Sequence, residues 1–413
     1  MNKKNTLSKI NNKLNGYKIS SEKKFWFWYH KLRVESYYTP KIINKEKRQD
    51  YSNDISISHI ATFSKWNAGD VLLPLCVKDS FNGNDSSINW KSFQISFPYS
   101  KKHIERINST DGLVIGGGGV FIQRNDLNSE HPSGWHWNCS KELASQINVP
   151  IAFFAVGYNQ FRGSDNMPEK FRKHLLSFSD RIKFVGMRNH GSVKKIKAYL
   201  PDNLHDKIYF QPCPTTIISK LYPQLFTKID SKQTKAIGIN CAFDRVEKRF
   251  LGKQDEICQN IADVLKMYSI KYDIVYLLHS PGDVKFISYL KNTGIKFKII
   301  DLVEKSPEYI IYEYQKLSLT LGMRGHSQMI PFGCRIPIIS LISHDKLGFF
   351  LDDIGRNEWG IEILNANLRH ELETKIGNIL NNKDQITEDI DTIQNKFYHI
   401  TQSNAIKILK SFS

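Results

Sequence analysis

Between Ile55 and about residue 355, short apolar runs alternate with amphipathic stretches, and this rhythm restricts the fold more than any other feature of the chain. The runs are rich in Ile, Val, Leu and Phe: ISISHIATF (55–63), GLVI (112–115), PIAFFAVG (150–157), IKFVGM (182–187) and KIYFQP (207–212). A second series follows, with KAIGINCAF (235–243), YDIVYLLHS (272–280), KFKIIDL (296–302), SLTLGM (318–323) and IPIISLIS (336–343). Runs that are apolar on both faces suit strands of parallel sheets covered by helices on either side. Helical spacing occupies the intervals: from about 71, 168–178, from about 192, 256–268, 282–292, 307–317, 326–332 and from about 346. The expected fold is α/β, with two Rossmann-like domains built on parallel sheets. A chain of 413 residues is too long for one ordinary core, which agrees with two domains. The expected division is a basic extension and lead-in at 1–50, a first domain at 51–222, a second at 235–365, and C-terminal helices at 366–413. The segment 220–234 reads as the linker, and the last helices are expected to pack back across the first domain.

An apolar content of 40% and a charged content of 24% fit a soluble globular protein. The net charge is +17, but residues 1–50 hold 13 basic and only 4 acidic side chains, so more than half of the excess sits there. Within 1–24, Leu7, Ile10, Leu14 and Tyr17 fall at helical spacing among seven lysines, and Phe25 to Tyr29 are all aromatic. Such a segment either lies on an anionic membrane surface or is an extension leading into a packed strand. The rest of the chain is mildly basic and carries no basic–aromatic module, so nucleic acid is not an expected partner. No apolar run reaches the ~18 residues that would span a bilayer, and no signal peptide is visible. Cys76, Cys139, Cys213, Cys241, Cys258 and Cys334 show neither CxxC nor zinc-site spacing. Their scatter suits a reducing compartment. The expected location is cytoplasmic, with peripheral attachment to the inner face of the membrane as the alternative.

The tripeptide Gly-Met-Arg occurs at 186–188 and again at 322–324, each time at the end of an expected strand. Ligands of open α/β sheets bind outside the carboxyl ends of the strands. The guanidinium fork of Arg suits carboxylate and phosphate, so Arg188 and Arg324 point to a small ligand with two anionic groups. His326, two residues after Arg324, could exchange a proton near neutral pH. His190 is a weaker candidate. Asn67 and Asp70, in Asn-Ala-Gly-Asp, read either as a plain helix cap or as a loop lining the cleft. Gly117 and Gly118, inside a run of four glycines, either present backbone N–H groups to a ligand or make a steric turn. The run is neither GxGxxG nor a Walker loop, so no dinucleotide is indicated. His131, Trp135 and His136 lie together in SEHPSGWHWNCS (129–140), where Trp could stack on a sugar ring or simply pack. A metal site there has no recognised spacing, and none is expected.

Together these residues resemble the polysaccharide pyruvyl transferase family. The resemblance runs from about 60 to about 355. It rests on Asn-x-Gly-Asp at 67–70, the strand and glycine run at 113–119, the strand, Arg and Ser at 185–192, and Arg-x-His at 324–326. Pro331-Phe332-Gly333 and the block IPIISLISHDKLGFF complete it. The resemblance implies a GT-B-like arrangement of the two domains. It implies transfer of a pyruvyl group from phosphoenolpyruvate to two hydroxyls of a sugar, giving a pyruvate ketal without metal or redox cofactor. The implied acceptor is a cell-surface polysaccharide or its lipid-linked precursor. In the family's pattern Arg188, Arg324 and His326 contact phosphoenolpyruvate, and His326 is catalytic. Two departures stand out: Gly325 replaces a frequent Leu, and Gln211-Pro212-Cys213-Pro214 replaces a run in which many members carry an acidic residue. A GT-B-type glycosyltransferase using a nucleotide sugar, and a catalytically silent binding module, remain alternatives; retention of Arg188, Arg324 and His326 argues against the module.

Overall fold

The structure, a computed structural model, describes residues 55–82, 88–123, 131–159, 166–226 and 235–413. The basic segment 1–24 and the aromatic run 25–29 lie outside the described residues, and so does most of the expected linker. The first half is a six-stranded parallel sheet of β1 (Ile55–Ala61), β2 (Ile88–Gln94), β3 (Gly112–Phe121), β4 (Ile151–Tyr158), β5 (Ile182–Met187) and β6 (Ile208–Phe210). Its strand order is β2-β1-β3-β4-β5-β6. The second half is a six-stranded parallel sheet of β7 (Ala236–Asn240), β8 (Asp273–Leu278), β9 (Phe297–Asp301), β10 (Leu319–Gly322), β11 (Ile338–Ile342) and β12 (Gly360–Glu362). Its order is β12-β11-β10-β7-β8-β9. Counted within this sheet from the β9 edge, the strands run third, second, first, fourth, fifth, sixth, which is the doubly wound Rossmann order. The order reverses between β7 and β10, so their carboxyl ends open a crevice.

Five helices position the site: α1 (Ala68–Asp79), α2 (His190–Ile196), α3 (Gly325–Gly333), α4 (Asp345–Ile354) and α5 (Lys383–Phe412). α1 begins three residues before the periodicity predicts, because the Asn67 side chain accepts from the Gly69 N–H at 2.9 Å and so satisfies an open donor of the first turn. β3 does not stop at Ile115 as the composition suggests. It continues through the glycines, which take φ of +147°, +26° and +96° at 116, 117 and 118, conformations that L side chains rarely adopt. β2 and β12 are strands that sequence reading does not find. β2 (INWKSFQ) is a half-exposed edge strand in which Ile88, Trp90 and Phe93 are interspersed with polar residues, and β12 has three residues.

α5 leaves the second half and crosses onto the first. Gln394 spans the two: its amide donates to the Phe332 carbonyl at 2.5 Å and accepts from the Ser219 hydroxyl at 2.7 Å. Asn404 donates to the Phe210 carbonyl and to Gln211 Oε1. The Phe412 ring fills the space above Gly112, where an added Cβ would lie 2.2 Å from it.

Candidate anion-binding site

Both Gly-Met-Arg copies sit at the carboxyl ends of strands, β5 and β10, as the pattern predicts. Their arginines have different surroundings. Arg324 is the N-cap of α3, and its guanidinium is held by two carboxylates. Nε and Nη2 donate to the two Asp283 oxygens at 2.9 and 2.5 Å, and Nη1 pairs with Asp244 at 2.9 Å. Asp283 is fully buried and also accepts from Asn240 at 3.0 Å. Asp244 is shared with Arg249, which donates to its carboxylate at 2.9 Å and to the Ser343 hydroxyl at 2.7 Å. Burial alone would lift the Asp244 carboxyl, but Arg249 and Arg324 hold it well below the usual carboxylate range.

Arg188 is 6% exposed, yet no carboxylate among the described residues pairs with it and its Nε has no hydrogen-bond partner. Its guanidinium lies against the backbone of Gly157, where an added Cβ would come within 2.3 Å of Nε. Burial pulls the Arg188 pKa down, and Cys213 and the Asp353 carboxylate, itself engaged by His190, offset only part of the effect, leaving a cation short of solvation and of a direct partner. A second cation lies nearby. Lys346, in the first turn of α4, is pushed down to about 7 by burial and by Arg188 and Arg249, with Asp244 offsetting only part of the effect. The two carboxylates Asp244 and Asp283 match the charges of Arg249 and Arg324. Arg188 and Lys346 have no carboxylate in direct contact among the described residues, although Asp353 acts on Arg188 at longer range.

His326 stands between the halves. An added Cβ on Gly69, in the first turn of α1, would lie 2.0 Å from its Nδ1, so the ring is seated on that glycine. Its Nε2 is 3.9 Å from the Cys213 thiol. Burial, Arg188 and Lys346 lower its pKa to about 3, so the imidazole is uncharged at neutral pH. His279, at the end of β8, is fully buried; it hydrogen-bonds the Tyr314 hydroxyl through Nε2, and its carbonyl accepts from the Ala68 N–H. Burial, Arg324 and His326 keep it neutral as well.

The other sequence candidates divide. Asn67 caps α1 and thereby sets the turn on which His326 rests; Asp70 is half-buried in the same turn. The Gly117 and Gly118 positions face Leu73, at 2.6 and 3.3 Å from an added Cβ, so packing of β3 against α1 accounts for both. Trp135 does not offer a stacking face. It is fully buried among Phe121, Phe171 and His174, with its indole N–H donating to His174 at 3.0 Å. His136 is also buried, and His131 Nδ1 reaches the carbonyls of Trp135 and His136, closing the loop on itself. Of the two readings the sequence left open for Trp135, stacking on a sugar or packing, its full burial favours packing. His190 is an exposed side chain whose Nδ1 contacts Asp353 of α4 at 2.8 Å, a clasp between the halves. Sequence reading misses Lys346, Asp244, Asp283, Arg249 and Cys213. Lys346 was visible only as part of the block IPIISLISHDKLGFF. No group of three or more His, Cys, Asp or Glu suited to a metal ion occurs among the described residues.

A search of curated proteins finds none that matches this sequence. Among solved structures, HepE from Anabaena in complex with UDP has a TM-score of 0.51 at 10% identity, covering 86% of this chain and 100% of its own. UDP-GlcNAc 2-epimerase from Neisseria meningitidis, bound to UDP-GlcNAc, has a TM-score of 0.50 at 11% identity with the same coverage. At these identities the likeness shows the fold alone: two Rossmann-like domains in a GT-B-like arrangement. The model of the family described as polysaccharide pyruvyl transferase matches residues 19–345, which take in Arg188, Arg324 and His326 and reach the first residue of α4, and the chain belongs to that family.

Proposed function

We propose that the protein transfers a pyruvyl group from phosphoenolpyruvate to a sugar diol, forming a cyclic ketal and releasing phosphate. The observation that carries this reading is the unpaired, buried Arg188 beside Lys346. A site with surplus positive charge away from water is stabilised by a compact polyanion. Phosphoenolpyruvate brings a carboxylate and a phosphate to it. Arg324 enters this reading as a positioned cation already held by Asp283 and Asp244, rather than as a free half of an arginine clamp. The chemistry needs a proton delivered to the methylene carbon and a proton taken from each attacking hydroxyl. Lys346, with a pKa of about 7, is suited to give a proton, and His326, neutral at pH 7, is suited to accept a hydrogen bond from the attacking hydroxyl and orient it. The acceptor is a glycan of a cell-surface polysaccharide or its lipid-linked precursor, and residues 1–24 attach the enzyme to the anionic membrane that carries it. The donor is a substrate, and no metal or cofactor enters the reading.

The test is to incubate pure protein with a lipid-linked glycan extract and either phosphoenolpyruvate or nucleotide sugars. A glycan mass gain of one pyruvyl ketal with matching phosphate release supports the reading. Glycosyl transfer from a nucleotide sugar, with no reaction of phosphoenolpyruvate, overturns it. Deleting residues 1–24 should abolish flotation with anionic liposomes and leave turnover of a soluble oligosaccharide unchanged. Equal flotation of both forms at low salt would remove the membrane role.

A further inference from the structure

The six cysteines are all free and buried, but only one touches the site. Cys213 follows β6 in the loop Gln211-Pro212-Cys213-Pro214. Its sulfur is 3.2 Å from the Thr215 hydroxyl and 3.9 Å from His326 Nε2. The second observation is Arg188, a guanidinium at least nine-tenths buried, with an unpartnered Nε; burial pushes the Cys213 thiol up, and the Thr215 hydroxyl and the Arg188 charge offset part of that push. The other thiols have the opposite surroundings. The charged side chains that act on Cys76, Cys139, Cys241 and Cys258 are the carboxylates Asp79, Glu142, Asp283 and Asp255, which disfavour a thiolate, and burial alone acts on Cys334. His326, which faces this thiol, is itself half-buried.

We propose that Cys213 is a thiol of the donor pocket, and that small carboxylate-bearing electrophiles seated by Arg188 alkylate it selectively. The inference rests on the donor reading above. With bromopyruvate the step is a simple displacement. The sulfur bonds to the methylene carbon, bromide leaves with the electron pair, and the thiol proton is released to solvent. The cationic pocket concentrates the anionic reagent, an effect worth ~10-fold or more in rate, whereas neutral iodoacetamide gains nothing from it.

The test is peptide mass mapping of the full-length protein after limited reaction with bromopyruvate or iodoacetamide. Bromopyruvate should label Cys213 at least ~10-fold faster than any other cysteine. Iodoacetamide should show no such preference, and Arg188→Met should remove the bromopyruvate preference while the protein stays folded. Labelling spread over the six thiols, absence of label on Cys213, or equal preference with the neutral reagent overturns the inference. Phosphoenolpyruvate should slow labelling of Cys213, and UDP should not. Selective labelling that phosphoenolpyruvate fails to slow would uphold the thiol site and overturn the donor reading, so the two fail separately.

Discussion

Replacing Arg324 by Ala would leave the Asp283 carboxylate buried without its cation, with only the Asn240 amide and water to meet it. Breaking one side of a buried pair costs about 3–5 kcal/mol, and urea denaturation of Arg324→Ala should show a loss of that order. Arg188→Met should do the opposite. It removes a buried charge that no carboxylate contacts directly, Asp353 acting on it only at longer range, and should raise stability by about 1–3 kcal/mol, while ending thermal protection by phosphoenolpyruvate. Equal destabilisation by both substitutions would mean that Arg188 has a partner after all. Lys346 gives a pH signature. Its pKa lies below the ordinary lysine value, so its ammonium is lost near pH 7 rather than above 10. In the proposed reaction kcat/KM for phosphoenolpyruvate should therefore fall as pH rises through about 7. His326, neutral down to about pH 3, should add no acidic limb above that value. Lys346→Arg should move the falling limb to higher pH, read from the pH–rate profile; an unmoved limb assigns the titration to another group. At this scale the sequence showed where the arginines stand but not what they do. Gly-Met-Arg is a local pattern, while the difference between its copies comes from Asp244 and Asp283, which only the folded second sheet brings to Arg324.

Among the elements, the first turn of α1 is the most sensitive. Gly69→Ala keeps the Asn67 cap and adds a methyl where the His326 ring sits. The ring must move, and displacing a catalytic group by about 1 Å costs on the order of 10²-fold in rate. Turnover should fall by that amount with donor affinity little changed, measured by steady-state kinetics and calorimetry. An unchanged kcat would show that His326 does not act from this position. The strand–helix alternation was legible because strands buried on both faces are long in Ile, Val and Leu. β2 was not, because an edge strand keeps polar residues on its exposed face. The continuation of β3 was hidden for a different reason: its glycines are there for backbone conformation and for contact with Leu73, and composition cannot distinguish that from a ligand loop.

Across the whole molecule, the site exists only where the halves meet. His326 belongs to the second half, yet it rests on Gly69 and faces Cys213, both from the first. The His190–Asp353 contact and α5 hold the same junction. Phe412 is the distal anchor of α5, 7% exposed and packed on Gly112 of β3, a strand that lies between β1 and β4 in the middle of the first sheet. Phe412→Ala should cost about 3 kcal/mol, as expected for a buried aromatic truncation, seen as a shift in the urea midpoint; a change within error would make the contact incidental. This anchor also sets an order of events in synthesis. A ribosome releases residues 55–221 long before it reaches Phe412, at about 5–20 residues per second. The first sheet must therefore wait many seconds with the seat above Gly112 open to water. During that interval the nascent first half is the part of this protein that a chaperone would meet.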